Sequence, residues 1–132
     1  VTGSKHVLII DDSLTETRIL KSLLETHGHQ VSVACNGQEG IDVAQATQPD
    51  LILMDVVMPL LNGFQATREL TRNESTAHIP IIVCSSKSAN TDRLWALRQG
   101  AKEYLVKPVK VKELLEVINR QFSKGGRYEQ PL

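Results

Sequence analysis

Charge of one sign is what this sequence most clearly lacks: its 132 residues carry 15 Lys and Arg against 15 Asp and Glu, a formal net charge of zero. Without a global positive field, counterion release cannot hold a polyanion, which sets nucleic-acid binding aside. No apolar run approaches the roughly 18 residues of a membrane span, and no charged-then-apolar start resembles a signal peptide. A cytoplasmic protein with no membrane role is the expectation. Cysteine is scarce: Cys35 and Cys84 match no metal or redox spacing and read as packing residues of a reduced protein rather than as a disulfide. Internal repeats, low-complexity tracts and a linker to a second domain are also missing.

What is present suits one globular domain. Apolar residues make up 41% and charged residues 23% of the chain, near globular averages, and a chain of this length buries enough surface to fold without staples. The domain is expected over residues 5–122. Residues 1–4 and 123–132 lack apolar periodicity, carry glycine and proline, and are expected to be flexible.

Between those ends, short apolar runs alternate with amphipathic segments. The runs are Val7–Ile10, Val31–Ala34, Leu51–Met54, Ile81–Cys84 and Glu103–Val106. Three of them, Val7–Ile10, Leu51–Met54 and Ile81–Cys84, are continuously apolar, as strands covered on both faces must be, whereas Val31–Ala34 alternates like a strand nearer an edge. Helix periodicity follows in Leu20, Leu23, Leu24 and His27, and again in Ile41, Ala44 and Thr47. Later helices read as Asn90–Gln99 and Val111–Phe122, the last with a stripe of Val111, Leu114, Leu115, Ile118 and Phe122. Asn36 and Glu39 have capping-box spacing, and Gly28 and Gly100 stand where helices end in a left-handed residue. The pattern predicts an α/β fold: a doubly wound, five-stranded parallel sheet built from five β–α units.

In such sheets the functional crevice lies at the carboxyl ends of the strands, where strand order reverses. Those ends carry Asp11-Asp12, Asp55, Ser85-Ser86 and Lys107-Pro108. Three crowded carboxylates repel one another unless a cation neutralises them, and an all-oxygen site suits Mg²⁺. A carboxylate is also a nucleophile for phosphoryl transfer, with Mg²⁺ and Lys107 neutralising the phosphoryl oxygens and the Ser85 hydroxyl donating to another. Each residue alone has a plainer reading: Asp11-Asp12 as a solvated turn or cap, Asp55 as a turn cap, Lys107 as a solvated amine, Tyr104 and Trp95 as packing aromatics. His6, His27, His29 and His78 sit at no ligand spacing and read as surface or packing residues. It is the convergence that favours chemistry.

Asp11-Asp12, the run Leu53-Met54-Asp55-Val56-Val57-Met58-Pro59 with Gly63, Ser85-Ser86 and Lys107-Pro108 together resemble the receiver domains of two-component response regulators, over about residues 5 to 122. The resemblance implies a flavodoxin-like (βα)5 fold of strand order 2-1-3-4-5. It implies Asp55 as phosphoacceptor, Asp12, Asp55 and the Val57 backbone carbonyl as Mg²⁺ ligands, and Asp11 as holder of a metal-bound water. Ser85 and Lys107 match the phosphoryl-sensing pair and Tyr104 the switch aromatic, which would turn into space opened behind Ser85. A cis bond at Lys107-Pro108 is implied as well. Leu61 to Arg68 and Trp95 to Gly100 are most similar to single-domain regulators of twitching or phototactic motility. Two departures, Val57 for a commonly polar residue and Ser86 for the commoner alanine, bear on dephosphorylation and switch packing.

The expected function is signal transduction, with no separate enzyme activity beyond the domain's own phosphorylation and dephosphorylation. A partner histidine kinase or phosphotransfer protein supplies the phosphoryl group, a downstream motility or signalling protein reads the surface, and the domain is a monomer or weak dimer. The rival from another class is a Mg²⁺-dependent phosphohydrolase with an aspartyl intermediate. That chemistry calls for a second acid–base carboxylate, whereas Val57 stands two residues after Asp55, and no cap insertion is visible. A phosphorylation-incompetent pseudo-receiver is disfavoured by the intact acidic set.

Overall fold

The structure is a computed structural model that describes residues 5–126. Its elements alternate from β1 (His6–Ile10) and α1 (Leu14–Thr26) through β2 (Gln30–Ala34), α2 (Gly37–Thr47), β3 (Leu51–Met54) and α3 (Gly63–Arg72). They continue with β4 (Ile81–Ser85), α4 (Asn90–Arg98), β5 (Glu103–Val106) and α5 (Val111–Gly126). The strands pair in parallel in the order β2-β1-β3-β4-β5, as expected. Order reverses at β1: its first neighbour lies on one side and β3 on the other, which opens a crevice over the ends of β1 and β3.

The period of two in a strand divides each apolar run between two cores. Leu8, Ile10, Ile52, Met54, Ile81 and Val83 pack on one face with Ile41 and Ala44 of α2, Ala66 and Leu70 of α3, and Ala96 of α4. Val7, Ile9, Leu51, Leu53, Ile82 and Cys84 pack on the other with Leu24 of α1 and Leu114, Val117 and Ile118 of α5. Covering both faces buries every residue of β3 and β4, and each large aliphatic side chain so buried contributes about 1.5–3 kcal/mol. Strand β2, paired on one side only, stays half exposed and so needs alternation.

Several details differ from the expected pattern. His27, Thr47 and Val111 lie on the solvent side of their helices rather than in the apolar stripe, because each falls at a helix end beyond the sheet's cover. The Asn36 side chain caps α2 by accepting from the Glu39 N–H at 2.8 Å, but Glu39 turns to the Cys35 N–H instead of the cap residue, so the box is not reciprocal. A full capping box forms at α3 instead, between Asn62 and Gln65. Helix α5 runs to Gly126, beyond the end expected for it at Phe122; residues 1–4 and 127–132, within the ends expected to be loose, lie outside the described part. Gly28 and Gly100 do adopt the left-handed region after their helices, at φ of 89° and 112°.

Gly63 fixes the start of α3 against the site. Its N–H donates to the Val56 carbonyl at 2.9 Å, and a Cβ placed there would lie 2.0 Å from the Asp55 carbonyl oxygen. Backbone cannot yield as a flexible side chain would. Gly63→Ala is therefore expected to lower unfolding free energy by about 2 kcal/mol in a denaturant titration. An alanine variant of unchanged midpoint would show that this approach has slack.

Candidate metal and phosphoacceptor site

The backbone ladder continues one step beyond each strand and so seats the functional side chains. Asp11 N–H donates to the Ala34 carbonyl at 3.1 Å, Asp55 N–H to Ile10 at 2.9 Å, and Lys107 N–H to Ser85 at 2.8 Å. The Lys107-Pro108 peptide is cis, in line with the resemblance. Asp11 is fixed further by the Ser13 N–H, which donates to its Oδ1 at 2.9 Å. Lys107 Nζ then donates to Asp11 Oδ2 at 3.0 Å, to Asp55 Oδ1 at 3.2 Å and to Glu16 Oε1. The strand ends thus bring Asp11, Asp12, Asp55 and Lys107 together, as the sequence placed them. They open on a cleft of about 580 Å³.

Electrostatics in the cleft follow from burial. Asp11 and Asp55 are only 4% and 8% exposed, whereas Asp12 faces solvent. Desolvation, reinforced by the nearby Asp11 charge and opposed by Lys107, pushes the Asp55 carboxyl up to about 6. For Lys107, desolvation works against the ammonium, yet the hydrogen bonds it donates to Glu16 and Asp11 and the field of Asp55 outweigh it and hold its pKa above the usual lysine value. One ammonium leaves this group of carboxylates under-neutralised. One oxygen each from Asp11, Asp12 and Asp55 lies within 4.8 Å of the others. This compact, hard, all-oxygen set with surplus negative charge fits Mg²⁺. Val57 lines the same cleft with its side chain exposed.

The residues expected to sense the phosphoryl group and to switch, Ser85 and Tyr104, are not among those lining the cleft. Ser85 is fully buried, is not part of the cleft lining, and accepts from the Lys87 N–H at 3.1 Å. The Tyr104 ring is buried, and its hydroxyl donates to the Lys87 carbonyl at 2.7 Å. Arg93 of α4 covers the ring, its guanidinium carbon 5.3 Å from the centroid, and donates to the Tyr104 carbonyl at 3.2 Å. Ser86, which stands where an alanine is commoner, is exposed and lines the cleft. Trp95 remains 47% exposed, and none of the histidines lines the cleft.

Glu16, which does not stand at a strand end, joins the site as well. It sits in the first turn of α1, where Ser13 caps the helix by accepting from the Glu16 N–H at 3.2 Å. The available signal was a Ser-x-x-Glu capping pattern directly after Asp11-Asp12. Here the glutamate does not fold back on the cap. It spans to Lys107.

Comparison with known proteins agrees with this geometry. Residues 7–119 match the family described as the response regulator receiver domain. The chain is 52% identical to the protein PilH of Pseudomonas aeruginosa over 86% of its own length and 94% of that protein. It is 33% identical to the chemotaxis protein CheY of Thermotoga maritima, covering 88% of this chain and 96% of that one. Other relatives are longer, and the chain spans about half of their length or less. Among solved structures, the receiver domain of the sensor histidine kinase PA1611 from P. aeruginosa, described with a magnesium ion coordinated in its active-site cleft, superposes with a TM-score of 0.84 at 29% identity. That match covers 92% of this chain and 99% of the other. With the strand order, the acidic strand ends and the lysine all in place, the chain belongs to the response regulator receiver domain family, and to its CheY-like, two-component branch.

Proposed function

We propose that this receiver works as a Mg²⁺-dependent phosphorylation switch in which Asp55 takes a phosphoryl group from a phosphohistidine on a partner histidine kinase or phosphotransfer protein. The observation that carries the reading is the placement of one buried carboxylate, Asp55, 3.2 Å from the Lys107 ammonium at the mouth of an acidic cleft. An Asp55 oxygen attacks phosphorus, the P–O bond forms, and the P–N bond breaks with its electron pair returning to the imidazole, which takes up a proton. Lys107 is placed to neutralise charge on the phosphoryl oxygens, an electrostatic role worth more in a partly dry cleft than in water. Asp12, Asp55 and the Val57 carbonyl would hold Mg²⁺, with Asp11 reaching it through water; when bound, the ion supplies further charge neutralisation at the phosphoryl group.

Ser85 is the hydroxyl assigned to sense the product, by leaving the Lys87 N–H for a phosphoryl oxygen. Tyr104, already inside, reports through its bond to the same Lys87 segment rather than by entering a cavity. The similarity to PilH and to a chemotaxis CheY, over nearly the whole of each of those proteins, supports an output in motility-type control. Receiver domains are phosphoacceptor switches and not enzymes in the ordinary sense; self-catalysed phosphorylation and dephosphorylation belong to the proposal.

Incubation with Mg²⁺ and acetyl phosphate, followed by intact mass, tests the function. A single-phosphoryl adduct that forms with Mg²⁺ and not with excess EDTA is the expected result. Many-turnover phosphate release with no adduct would instead support the phosphohydrolase.

A further inference from the structure

We infer that Glu16 is a positioning residue that occupies Lys107 in the resting state and must give up its place to a phosphoryl oxygen. The inference rests on the phosphoacceptor reading above and deepens it. A lysine ammonium has three N–H donors, and Lys107 has all three engaged, on Asp11, Asp55 and Glu16. To donate to a phosphoryl group it must release one of them.

The three acceptors are not equally free to leave. Asp11 is buried and pinned by the Ser13 N–H, so its release would strand a desolvated charge. Asp55 is the nucleophile, tethered by its own backbone beside the lysine. Glu16 alone comes from a helix surface: its side chain is 48% exposed, against 4% for Asp11 and 9% for Asp55. Swinging outward, it exchanges the ammonium for water at small cost. Its departure also removes a negative charge from the position that phosphoryl oxygens take up. Glu16 therefore holds Lys107 over the nucleophile in the unphosphorylated protein and slows phosphoryl transfer as the cost of that placement.

The test compares wild type with Glu16→Ala and Glu16→Gln, using Mg²⁺ and acetyl phosphate, with the adduct followed by intact mass and the Lys107 ammonium followed by ¹⁵N NMR. Both variants are expected to acquire the adduct about two- to fivefold faster, the range set by a half-exposed ion pair. In the resting state the ammonium signal should be observable in wild type and broadened by water exchange in Glu16→Ala. Rates equal to or slower than wild type overturn the inference while leaving Asp55 as acceptor. Faster labelling with an unaltered ammonium signal also overturns it, because Glu16 would then act only by repelling the donor. If wild type itself forms no adduct, the phosphoacceptor reading falls and this inference falls with it.

Discussion

Asp55→Asn is expected to reduce Mg²⁺-dependent phosphoryl labelling to background while raising the stability of the metal-free protein. The amide keeps the shape of the carboxyl group but is a poor nucleophile, so no adduct should appear in intact mass under conditions that label wild type. The stability change follows from burial. Asp55 has its pKa raised from 3.8 to about 6 in the fold, so the native state holds more protons than the unfolded chain between those values. Wild-type stability therefore falls as pH rises from about 4 through about 6, and the loss stays complete above that. The asparagine variant carries no such loss. At pH 7.5 in EDTA it should be more stable by about 2 kcal/mol, an advantage that disappears near pH 3.5. Excess Mg²⁺ should narrow the gap, because only the wild-type site gains fully from the ion. Denaturant titrations at the two pH values check the sign. An asparagine variant that is less stable at pH 7.5 would mean that Asp55 is stabilised, not penalised, by its surroundings.

Lys107→Met is expected to act in the opposite direction. Lys107 is the one basic side chain lining the cleft among the described residues, and its loss leaves Asp11 and Asp55 buried without their cation. Breaking such a pair from one side strands charge, and a loss of about 3 kcal/mol is expected at neutral pH in EDTA. The methionine stem replaces most of the lost packing, so the deficit is electrostatic. It should shrink on acidification, as the stranded carboxylates take up protons, and on addition of Mg²⁺. The ion should bind more tightly to the variant than to wild type, because no ammonium competes for the same oxygens. Calorimetric titration of Mg²⁺ into both proteins decides this, and equal affinities would show that Lys107 and the metal do not share the acidic set. Adduct formation should be slowed in the same variant through loss of charge neutralisation.

Much of the fold was legible in the sequence because short apolar runs alternating with amphipathic segments are what a parallel sheet covered on both faces requires. Leu51–Met54 and Glu103–Val106 match β3 and β5 at both ends, and the other three runs miss by a single polar or half-exposed residue: His6, Gln30 or Ser85. Helix ends were less legible. His27, Thr47 and Val111 continue an apolar period past the point where the sheet still covers it, and periodicity alone does not record where cover stops. The α3 cap was missed because Asn62 follows a loop containing the exposed Leu60, with no clean apolar run to announce a helix.

By itself the sequence determined which groups meet: Asp11, Asp12, Asp55 and Lys107 each follow a buried strand, and a parallel sheet delivers all its carboxyl ends to one edge. Tertiary structure alone decided how those groups share charge and where the sensors point. Glu16 reaches Lys107 across most of the chain's length, a pairing that no local pattern encodes. Ser85 is buried with its hydroxyl bound by the Lys87 N–H while Cys84 and Ser86 line the cleft, and the Tyr104 ring is covered by Arg93 with its hydroxyl on the Lys87 carbonyl. Strand ends are fixed by local burial, whereas the direction of a side chain and the partner of a charge depend on what the rest of the fold packs against it.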